Sequence, residues 1–175
     1  MTTAYTEVPR IYVASLADYN AGNLHGLWID LDPGMTHDDV QDQIDMMLHT
    51  NGQSIAEEWA IHDYENFDGI KIDEYETIDR IVALAEAINK HGPAFAAFSA
   101  YTGSSDVDEF TEAYEGEYEH EEDFAYMIVD SLGLFDDCNE TVQNYFDYEA
   151  FARDLFMGDY FSAPNGLGIY VFRHI

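Results

Sequence analysis

The excess of acidic over basic side chains is the feature that most limits what this chain can fold into. Its 175 residues include 36 Asp and Glu but only six Lys and Arg, which gives a formal net charge of −30. Like charges repel each other, and this repulsion destabilises compact shapes. We therefore expect a body longer than a sphere of the same mass, whose radius of gyration would be about 16 Å.

The charge is densest in the stretch DEFTEAYEGEYEHEED at 108–123, which holds nine carboxylates and no lysine or arginine. No basic residue occurs anywhere between Lys90 and Arg153. Acidic runs with few aromatic residues are typical of disordered chains. This chain, however, is 15% aromatic and 47% hydrophobic. That composition is enough to build a core, so we predict a folded protein.

The sequence shows no feature of an exported or membrane-bound protein. Cys138 is the only cysteine, which excludes an internal disulfide and fits a reducing compartment. The N-terminus, MTTAYTEVPR, lacks the basic region and apolar core of a signal peptide. We therefore expect a cytoplasmic protein. Its charge would repel nucleic acids and anionic membranes, so we predict neither as a partner.

Residues 1–75 are predicted to form a small α+β domain. β-Branched and aromatic residues predict strands over Arg10–Leu16, Leu24–Leu31 and 59–63. Between the second and third strands, Thr36 is predicted to cap a helix. The buried stripe of this helix is predicted to be Val40, Ile44, Met47 and Leu48.

Residues 76–113 are predicted to form an all-helical middle domain. One helix begins after Thr77 and ends at Gly92, a second is stopped by Gly103, and a third covers Asp106–Tyr114. The first of these helices is predicted to bury Ile78, Ile81, Val82, Ala85 and Ile88.

Residues 114–175 are predicted to form a second α+β domain with an antiparallel sheet. The run YEGEY at 114–118 alternates glutamate with tyrosine and glycine, which predicts a strand with one carboxylate-covered face. Helices are predicted over Glu121–Leu132 and Asn144–Phe156, and Asn165-Gly166 predicts a hairpin turn. The fold class is therefore α+β, as an elongated arrangement of three small domains. The first helix of this domain is predicted to bury Phe124, Ile128 and Leu132.

No motif predicts catalysis or metal binding. Close acid pairs arise by chance among so many carboxylates, and Cys138 has no mark of activation, so we interpret it as a small buried or half-buried residue. DLDPGMTHDD begins like an EF-hand loop, but its glycine is at the fifth position and Gln41 stands at the twelfth, where a bidentate carboxylate is required. We predict no catalytic residue, metal or cofactor. The histidines form neither an HExxH motif nor a close pair; they are His25, His37, His49, His62, His91, His120 and His174.

An acidic surface can itself be the ligand of a DNA-binding protein. Duplex DNA carries one negative charge per roughly 1.7 Å, so the charge on this chain would match about 51 Å of duplex, or about 15 base pairs. Carboxylates three or four residues apart on a helix lie about 5–6 Å from one another, which is close to the spacing of phosphates. The composition therefore favours a protein that occupies a basic groove built for DNA. The candidate partner-binding carboxylates are Asp106, Asp108, Glu109, Glu112, Glu115, Glu117, Glu119, Glu121, Glu122 and Asp123.

Three stretches closely resemble the ArdA antirestriction family: IYVASLADYNAGNLHGLWID at 11–30, EEWAIHDYENF at 57–67 and QNYFDYEAFARDLF at 143–156. The resemblance covers nearly the whole chain from residue 9 onward, and the residues before Pro9 form an extension of no evident role. It implies a DNA mimic, carried by mobile genetic elements, that fills the DNA-binding cleft in the methyltransferase–specificity core of Type I restriction–modification enzymes. It also implies a curved rod of three small domains that dimerises through the third, with no catalytic residue.

Residues 114–175 offer apolar surface in a molecule whose charge otherwise repels a second copy. We expect a homodimer to form there. Arg153 has two interpretations that stay open, an ion pair with Glu149 one helical turn earlier or a contact between subunits. The candidates for the dimer interface are Tyr145, Phe146, Phe151, Arg153 and Phe156.

Two other classes of protein share such an acidic composition. A halophilic enzyme would lose its structure in low salt, whereas a DNA mimic would keep it. A calcium buffer would become more stable when the metal binds. We predict the DNA mimic, which is not an enzyme.

Overall fold

The computed structural model describes residues 7–50 and 58–175 and has a mixed α+β fold. Its contacts divide the chain into two compact units, an N-terminal unit that ends at Ser105 and a C-terminal unit that begins at Asp106. The three-domain division at 75/76 and 113/114 stays a prediction. Residues 1–6, which make up most of the predicted N-terminal extension, lie outside the described residues.

The N-terminal unit is built on a three-stranded antiparallel sheet. Its strands are β1 (Arg10–Ser15), β2 (Gly26–Asp30) and β3 (Trp59–Glu65), in the order β2-β1-β3. The first two strands pair directly, with Val13 of β1 opposite Leu27 of β2. A short helix, α1 (Leu16–Asn20), follows β1 directly.

Helix α2 (His37–His49) begins where the sequence predicts it. The Thr36 hydroxyl accepts a hydrogen bond from the Asp39 backbone N–H, and the Asp39 carboxylate accepts one from the Thr36 N–H at 2.9 Å. This reciprocal pair is a capping box, which satisfies two backbone donors at the helix start. The stripe predicted to be buried is confirmed; it consists of Val40, Ile44, Met47 and Leu48.

Helices α3 (Ile78–His91) and α4 (Pro93–Thr102) belong to the same unit, and α3 packs against both α2 and α4. Thr77 caps α3, and Gly92 ends it with a backbone φ of +70°. Polar contacts also join α3 to the start of α2: His37 Nδ1 lies 2.7 Å from Asp79 Oδ1. The predicted stripe of α3 is largely confirmed, although Val82 is only half-buried. The fully or nearly fully buried residues are Ile78, Ile81, Leu84, Ala85, Ala87 and Ile88.

The C-terminal unit begins with α5 (Val107–Ala113) and contains a second antiparallel sheet. Its strands, in the order β4-β6-β5, are β4 (Tyr114–Tyr118), β5 (Tyr160–Pro164) and β6 (Ile169–Arg173). The predicted hairpin is confirmed, and the loop between β5 and β6 has four residues, 165–168. The Asn165 side chain closes this loop, because its Oδ1 accepts a hydrogen bond from Gly168 N at 2.9 Å.

The prediction that β4 has one continuous carboxylate-covered face is wrong. The register of β4 on β6 shifts between Tyr114 and Gly116, so Glu115 is the extra residue of a β-bulge. Because of the extra residue, side chains before and after the bulge that would share one face of a regular strand point to opposite faces of the sheet. Tyr114 therefore packs on Phe110 of α5, with ring centroids 5.3 Å apart, whereas Tyr118 packs on the opposite face of the sheet.

Three further helices complete the C-terminal unit: α6 (Glu121–Ser131), α7 (Glu140–Asn144) and α8 (Tyr148–Gly158). Two expectations for them are wrong. Leu132 is the C-cap of α6 and is 65% exposed instead of buried, and Ile128 is half-buried. The helix predicted over Asn144–Phe156 is divided, because the Asp147 carboxylate accepts a hydrogen bond from Ala150 N and starts α8 anew.

Candidate partner-binding surface

The ten candidate carboxylates follow one another along the C-terminal unit, from the N-cap of α5 through β4 and the turn after it to the first turn of α6. Helix α5 starts at Asp106, whose carboxylate accepts hydrogen bonds from the backbone N–H groups of Asp108 and Glu109 at 2.8 and 3.3 Å. Helix α6 starts similarly, since the Asp123 carboxylate accepts a hydrogen bond from His120 N at 2.9 Å. Acids suit these positions because helix N-termini carry partial positive charge. Asp106 and Asp123 therefore stabilise the helices on which their neighbours stand.

Three glutamates of the block are held by residues far away in sequence. The Glu115 carboxylate pairs with Arg173 of β6 at 2.6 Å. Glu121 accepts a hydrogen bond from the Ser162 hydroxyl at 2.8 Å. Glu117 accepts a longer one, 3.3 Å, from the Asn165 side-chain amide. These contacts tie α6 and β4 to the strands beside them and fix where the carboxylates point.

The remaining carboxylates of the block face solvent. Asp108, Glu112, Glu119 and Glu122 are exposed, and none of them pairs with a basic side chain in the part of the chain that the structure describes. Glu109 is also exposed. The sequence offers ten candidate carboxylates without ranking them, and the structure separates those that anchor the fold from those that point outward.

The buried side of the block changes the ionisation of two tyrosines. Burial, together with the nearby Glu117 carboxylate, raises the pKa of the Tyr114 phenol to about 12. Burial and Glu115 also raise the pKa of Tyr118. A buried phenol stays neutral because its ionised form would lose hydration and lie next to carboxylates. Both tyrosines therefore add no further charge to the surface above them.

Basic side chains do little to neutralise the acidic surface of either unit. Arg10 binds Glu65 through its Nε at 2.8 Å, Arg80 binds Glu76 at 2.6 Å, and Arg173 binds Glu115. The Glu115 carboxylate accordingly raises the pKa of the Arg173 guanidinium. Each of these arginines is matched by a single carboxylate, so the large remainder of acidic side chains sets the sign of the surface.

The candidates for the dimer interface lie in two different environments. Tyr145, between α7 and α8, is 86% exposed. Phe146 is half-buried within an aromatic cluster, with ring centroids 5.2 Å from Phe135 and 5.4 Å from Phe151. Phe156 is half-buried against Phe124, with ring centroids 5.7 Å apart. These phenylalanines thus contribute to the core of their own unit, and the dimer stays a prediction.

Arg153 does not form the ion pair with Glu149 that the helical spacing suggests. Its Nε instead lies 3.7 Å from Asp154 Oδ1, and 65% of its side chain is exposed. A pair of this length between exposed groups contributes little to stability. The guanidinium is therefore available for an external contact.

A cleft of about 770 Å³ was not predicted from the sequence. It lies in the C-terminal unit between the β4–α6 turn, the exposed side of α8 and the start of β6, and Glu119, Glu122, Arg153 and Met157 are among its lining residues. No local pattern could have revealed it, because the lining comes from three separated parts of the chain. Cys138, outside this cleft, is half-buried as predicted, and its thiol donates a hydrogen bond to Leu134 O.

Residues 7–50 and 58–175 contain neither a candidate metal site nor a candidate membrane span. No group of three or more His, Cys, Asp or Glu within those ranges is arranged to hold a metal ion. No helix in the same ranges is long and apolar enough to cross a membrane.

The fold and the surface define the chain as a strongly acidic α+β protein whose distinctive feature is a run of outward-facing carboxylates. A comparison with family models identifies the particular family: the antirestriction protein ArdA model matches residues 11–168. The chain therefore belongs to the ArdA antirestriction family, as the three sequence stretches indicated. A comparison with curated proteins found no match.

Proposed function

We propose that this protein inhibits Type I restriction–modification enzymes as a DNA mimic, by occupying the DNA-binding cleft of their methyltransferase and specificity subunits. Membership of the antirestriction family supports the class of activity. The observation that carries the mimicry is the set of outward-facing carboxylates in the C-terminal unit, of which Asp108, Glu112, Glu119 and Glu122 pair with no basic side chain in the described residues. The protein acts by binding and not by catalysis.

The anchored carboxylates explain how such a surface stays ordered. Asp106 and Asp123 cap helices, and Glu115 and Glu121 bind neighbouring strands, so the backbone that carries Glu119 and Glu122 is fixed before any partner arrives. Binding then costs little conformational entropy. Carboxylates that meet lysine or arginine form charge-assisted hydrogen bonds, as phosphates do. A rigid acidic surface can therefore replace the DNA backbone in a basic cleft.

The proposal is tested by measuring DNA cleavage by a purified Type I enzyme while this protein is titrated in. We expect inhibition that is relieved by excess DNA, because the two ligands compete for one cleft. Binding should weaken as salt rises, since ion contacts are screened. The slope against salt should be shallower than that of DNA, whose condensed counterions are released on binding. A stable ternary complex of enzyme, DNA and inhibitor would contradict the proposal.

We further propose that the active form is a homodimer joined through the C-terminal unit. Exposed apolar side chains, including Tyr145 and Val142, lie around α7 in a molecule whose surface is otherwise repulsive. A dimer would double the charge and match about 100 Å of duplex, or about 30 base pairs. Light scattering at micromolar concentration tests this, and finding only the 19.9 kDa monomer would contradict it.

We place this activity in the cytoplasm of a cell that receives a mobile genetic element, where restriction enzymes meet incoming DNA. Expression of the protein should raise the transfer of unmodified DNA into a host with a Type I system. It should leave transfer unchanged in an otherwise identical host that lacks the system. Equal stimulation in both hosts would show that restriction is not the target.

A further inference from the structure

The cleft beside the β4–α6 turn is lined by two kinds of side chain: apolar ones, called here the floor, and glutamates, called here the rim. Phe156, Met157 and Ile169 are among its apolar lining residues, and Met157 is 78% exposed although it is a large apolar side chain. The rim carries Glu119, Glu122 and Glu149. An exposed methionine is adaptable and is common on surfaces that receive another molecule.

This combination matches the chemistry of a lysine or arginine side chain. Both have an aliphatic stem that packs along apolar surface, while the charged head stays among polar groups. In this cleft the stem would lie over Met157 and Phe156, and the head would reach the glutamates of the rim. An acidic or neutral apolar segment would leave these carboxylates desolvated without partners, which is costly.

A second copy of the chain is a poor source of that side chain. Three of its six basic residues, Arg10, Arg80 and Arg173, are already engaged with glutamates of their own chain. The cleft itself contains Arg153, which would repel the Arg153 of a second copy approaching by two-fold symmetry. Charge complementarity therefore favours a basic partner of different sequence.

We propose that this cleft receives a lysine or arginine side chain from a basic segment of the partner protein. The inference rests on the proposed function and deepens it, because it assigns one local pocket in which the apolar floor contributes to binding. Affinity would otherwise depend on distributed charge alone. Arg153 opposes this binding, since it is the one arginine among the residues that line the cleft.

The probe is a capped glycine-rich peptide that carries lysine and arginine, added to the full chain labelled with ¹³C at the methionine methyl groups. We expect the Met157 methyl resonance to shift and the Met46 resonance to stay in place. Met46 is a matched control, since it is 72% exposed on α2 in the other unit. A peptide with glutamine and citrulline in place of the basic residues should cause no shift. An unshifted Met157 resonance with the basic peptide would overturn the assignment.

Two variants test the apolar floor and the opposing charge of Arg153 separately. Met157→Ser should weaken peptide binding by at least about fourfold, the effect of one buried methylene, whereas Met46→Ser should leave it unchanged. Arg153→Gln should strengthen peptide binding. Equal affinity of wild type and Met157→Ser would overturn the role of the floor. A Met157 resonance that shifts with protein concentration alone would overturn the choice of partner in favour of a second copy.

The same variants are then tested as inhibitors of the Type I enzyme. Met157→Ser should inhibit more weakly than both wild type and Met46→Ser. Failure of the wild-type protein to inhibit would overturn the proposed function. Normal inhibition by wild type and Met157→Ser alike would overturn only the assignment of the cleft.

Discussion

The two units carry the same number of acidic residues but bury different kinds of side chain. Each contains eighteen Asp and Glu, with four Lys and Arg in the N-terminal unit and two in the C-terminal unit. The formal charge is therefore −14 on 105 residues in the first and −16 on 70 residues in the second. The N-terminal unit buries mainly isoleucine and leucine. The C-terminal unit, which the structure describes in full, buries no isoleucine or leucine and relies on Phe110, Phe124, Phe161, Tyr170 and Phe172.

This difference shows how a small unit can hold a high density of like charge. Each aromatic ring buries a large area and gains additional stabilisation from contacts with other rings. Phe124 illustrates this, because its ring meets Tyr118, Phe156 and Tyr160 with centroids 4.7 to 5.7 Å apart. We infer that the stability of the C-terminal unit is concentrated in a few side chains, while that of the N-terminal unit is spread over many.

Removing one buried ring should therefore have the largest effect, because it should destabilise the C-terminal unit and leave the N-terminal unit unchanged. Phe124→Ala should lower the free energy of unfolding by about 3–5 kcal/mol, the usual cost of removing a buried phenylalanine. Both tryptophans, Trp28 and Trp59, lie in the N-terminal unit, so their fluorescence reports on that unit. In urea, the variant should lower the midpoint followed by circular dichroism and leave the fluorescence midpoint in place.

The matched control is Ile88→Ala in the N-terminal unit, where Ile88 is fully buried. It should cost about 2–5 kcal/mol and lower the fluorescence midpoint. If Phe124→Ala moved both midpoints equally, the units would unfold together and could not be treated as separate frameworks.

Neutralising the acidic block should have the next largest effect, on inhibition and not on folding. Glu115→Gln, Glu117→Gln and Glu119→Gln should each weaken inhibition by less than about tenfold, because exposed ion pairs contribute roughly 0–1 kcal/mol each. The triple variant should cost up to about a hundredfold if the sites act independently.

Charge reversal sharpens the same test. Glu119→Lys should weaken inhibition more than Glu119→Gln, because it adds repulsion against a basic cleft. Circular dichroism should show that all these variants remain folded. A single neutralisation that abolished inhibition in a folded protein would disprove the distributed surface and indicate a discrete site.

Removing a helix cap from each unit should change the free energy of unfolding by smaller amounts, which should differ between the two units. Thr36→Ala in the N-terminal unit should cost about 1 kcal/mol of unfolding free energy. Asp147→Ala removes an equivalent cap from α8 but also relieves repulsion in the more charged unit, so it should cost less. Asp147→Ser keeps a capping oxygen and removes the charge, so its stability should equal or exceed that of wild type. Urea unfolding measures all three, and a large loss in Asp147→Ser would contradict the assumed repulsion.

The smallest expected effect is on the stability of the protein at alkaline pH. The Tyr114 phenol is only partly buried, so solvent screens its interactions with nearby charges. Its pKa is raised from 10.0 to about 12 in the folded protein, so the folded state holds this proton more tightly than the unfolded state. Stability from this group is therefore fully present below pH 10 and is lost between pH 10 and 12.

Tyr114→Phe should show a smaller loss of stability over that range than wild type, as measured by urea midpoints. Tyr145→Phe, which changes an exposed tyrosine, is the control. Identical alkaline losses in wild type and Tyr114→Phe would show that this phenol is not coupled to folding.

Elements governed by short-range patterns were predictable from the sequence. The capped start of α2 and its buried stripe follow from Thr36 and from helical spacing, both of which are local. Periodicity failed at Asp147, because an apolar helical pattern continues across a residue that folds back to cap a new helix. It failed again at Glu115, where a bulge exchanges the two faces of β4.

The acidic surface was predictable in sign but not in detail. Composition alone shows that carboxylates dominate. It cannot show that Glu115 binds Arg173 or that Glu121 binds Ser162, since these partners are far apart in sequence and meet only in the folded sheet. The cleft escaped prediction for the same reason.

The bulge in β4 also has a consequence for how the protein behaves in acid. β4 is an edge strand, and the unpaired backbone groups of an edge are where sheets of different molecules join into aggregates. Near neutral pH the carboxylates keep molecules apart, but this protection vanishes close to the isoelectric point of about 4.1. A bulge interrupts the regular ladder that such joining requires, and it does not depend on charge. Glu115 and Gly116 thus give the edge a geometric barrier to fibril growth that persists after its electrostatic one is lost.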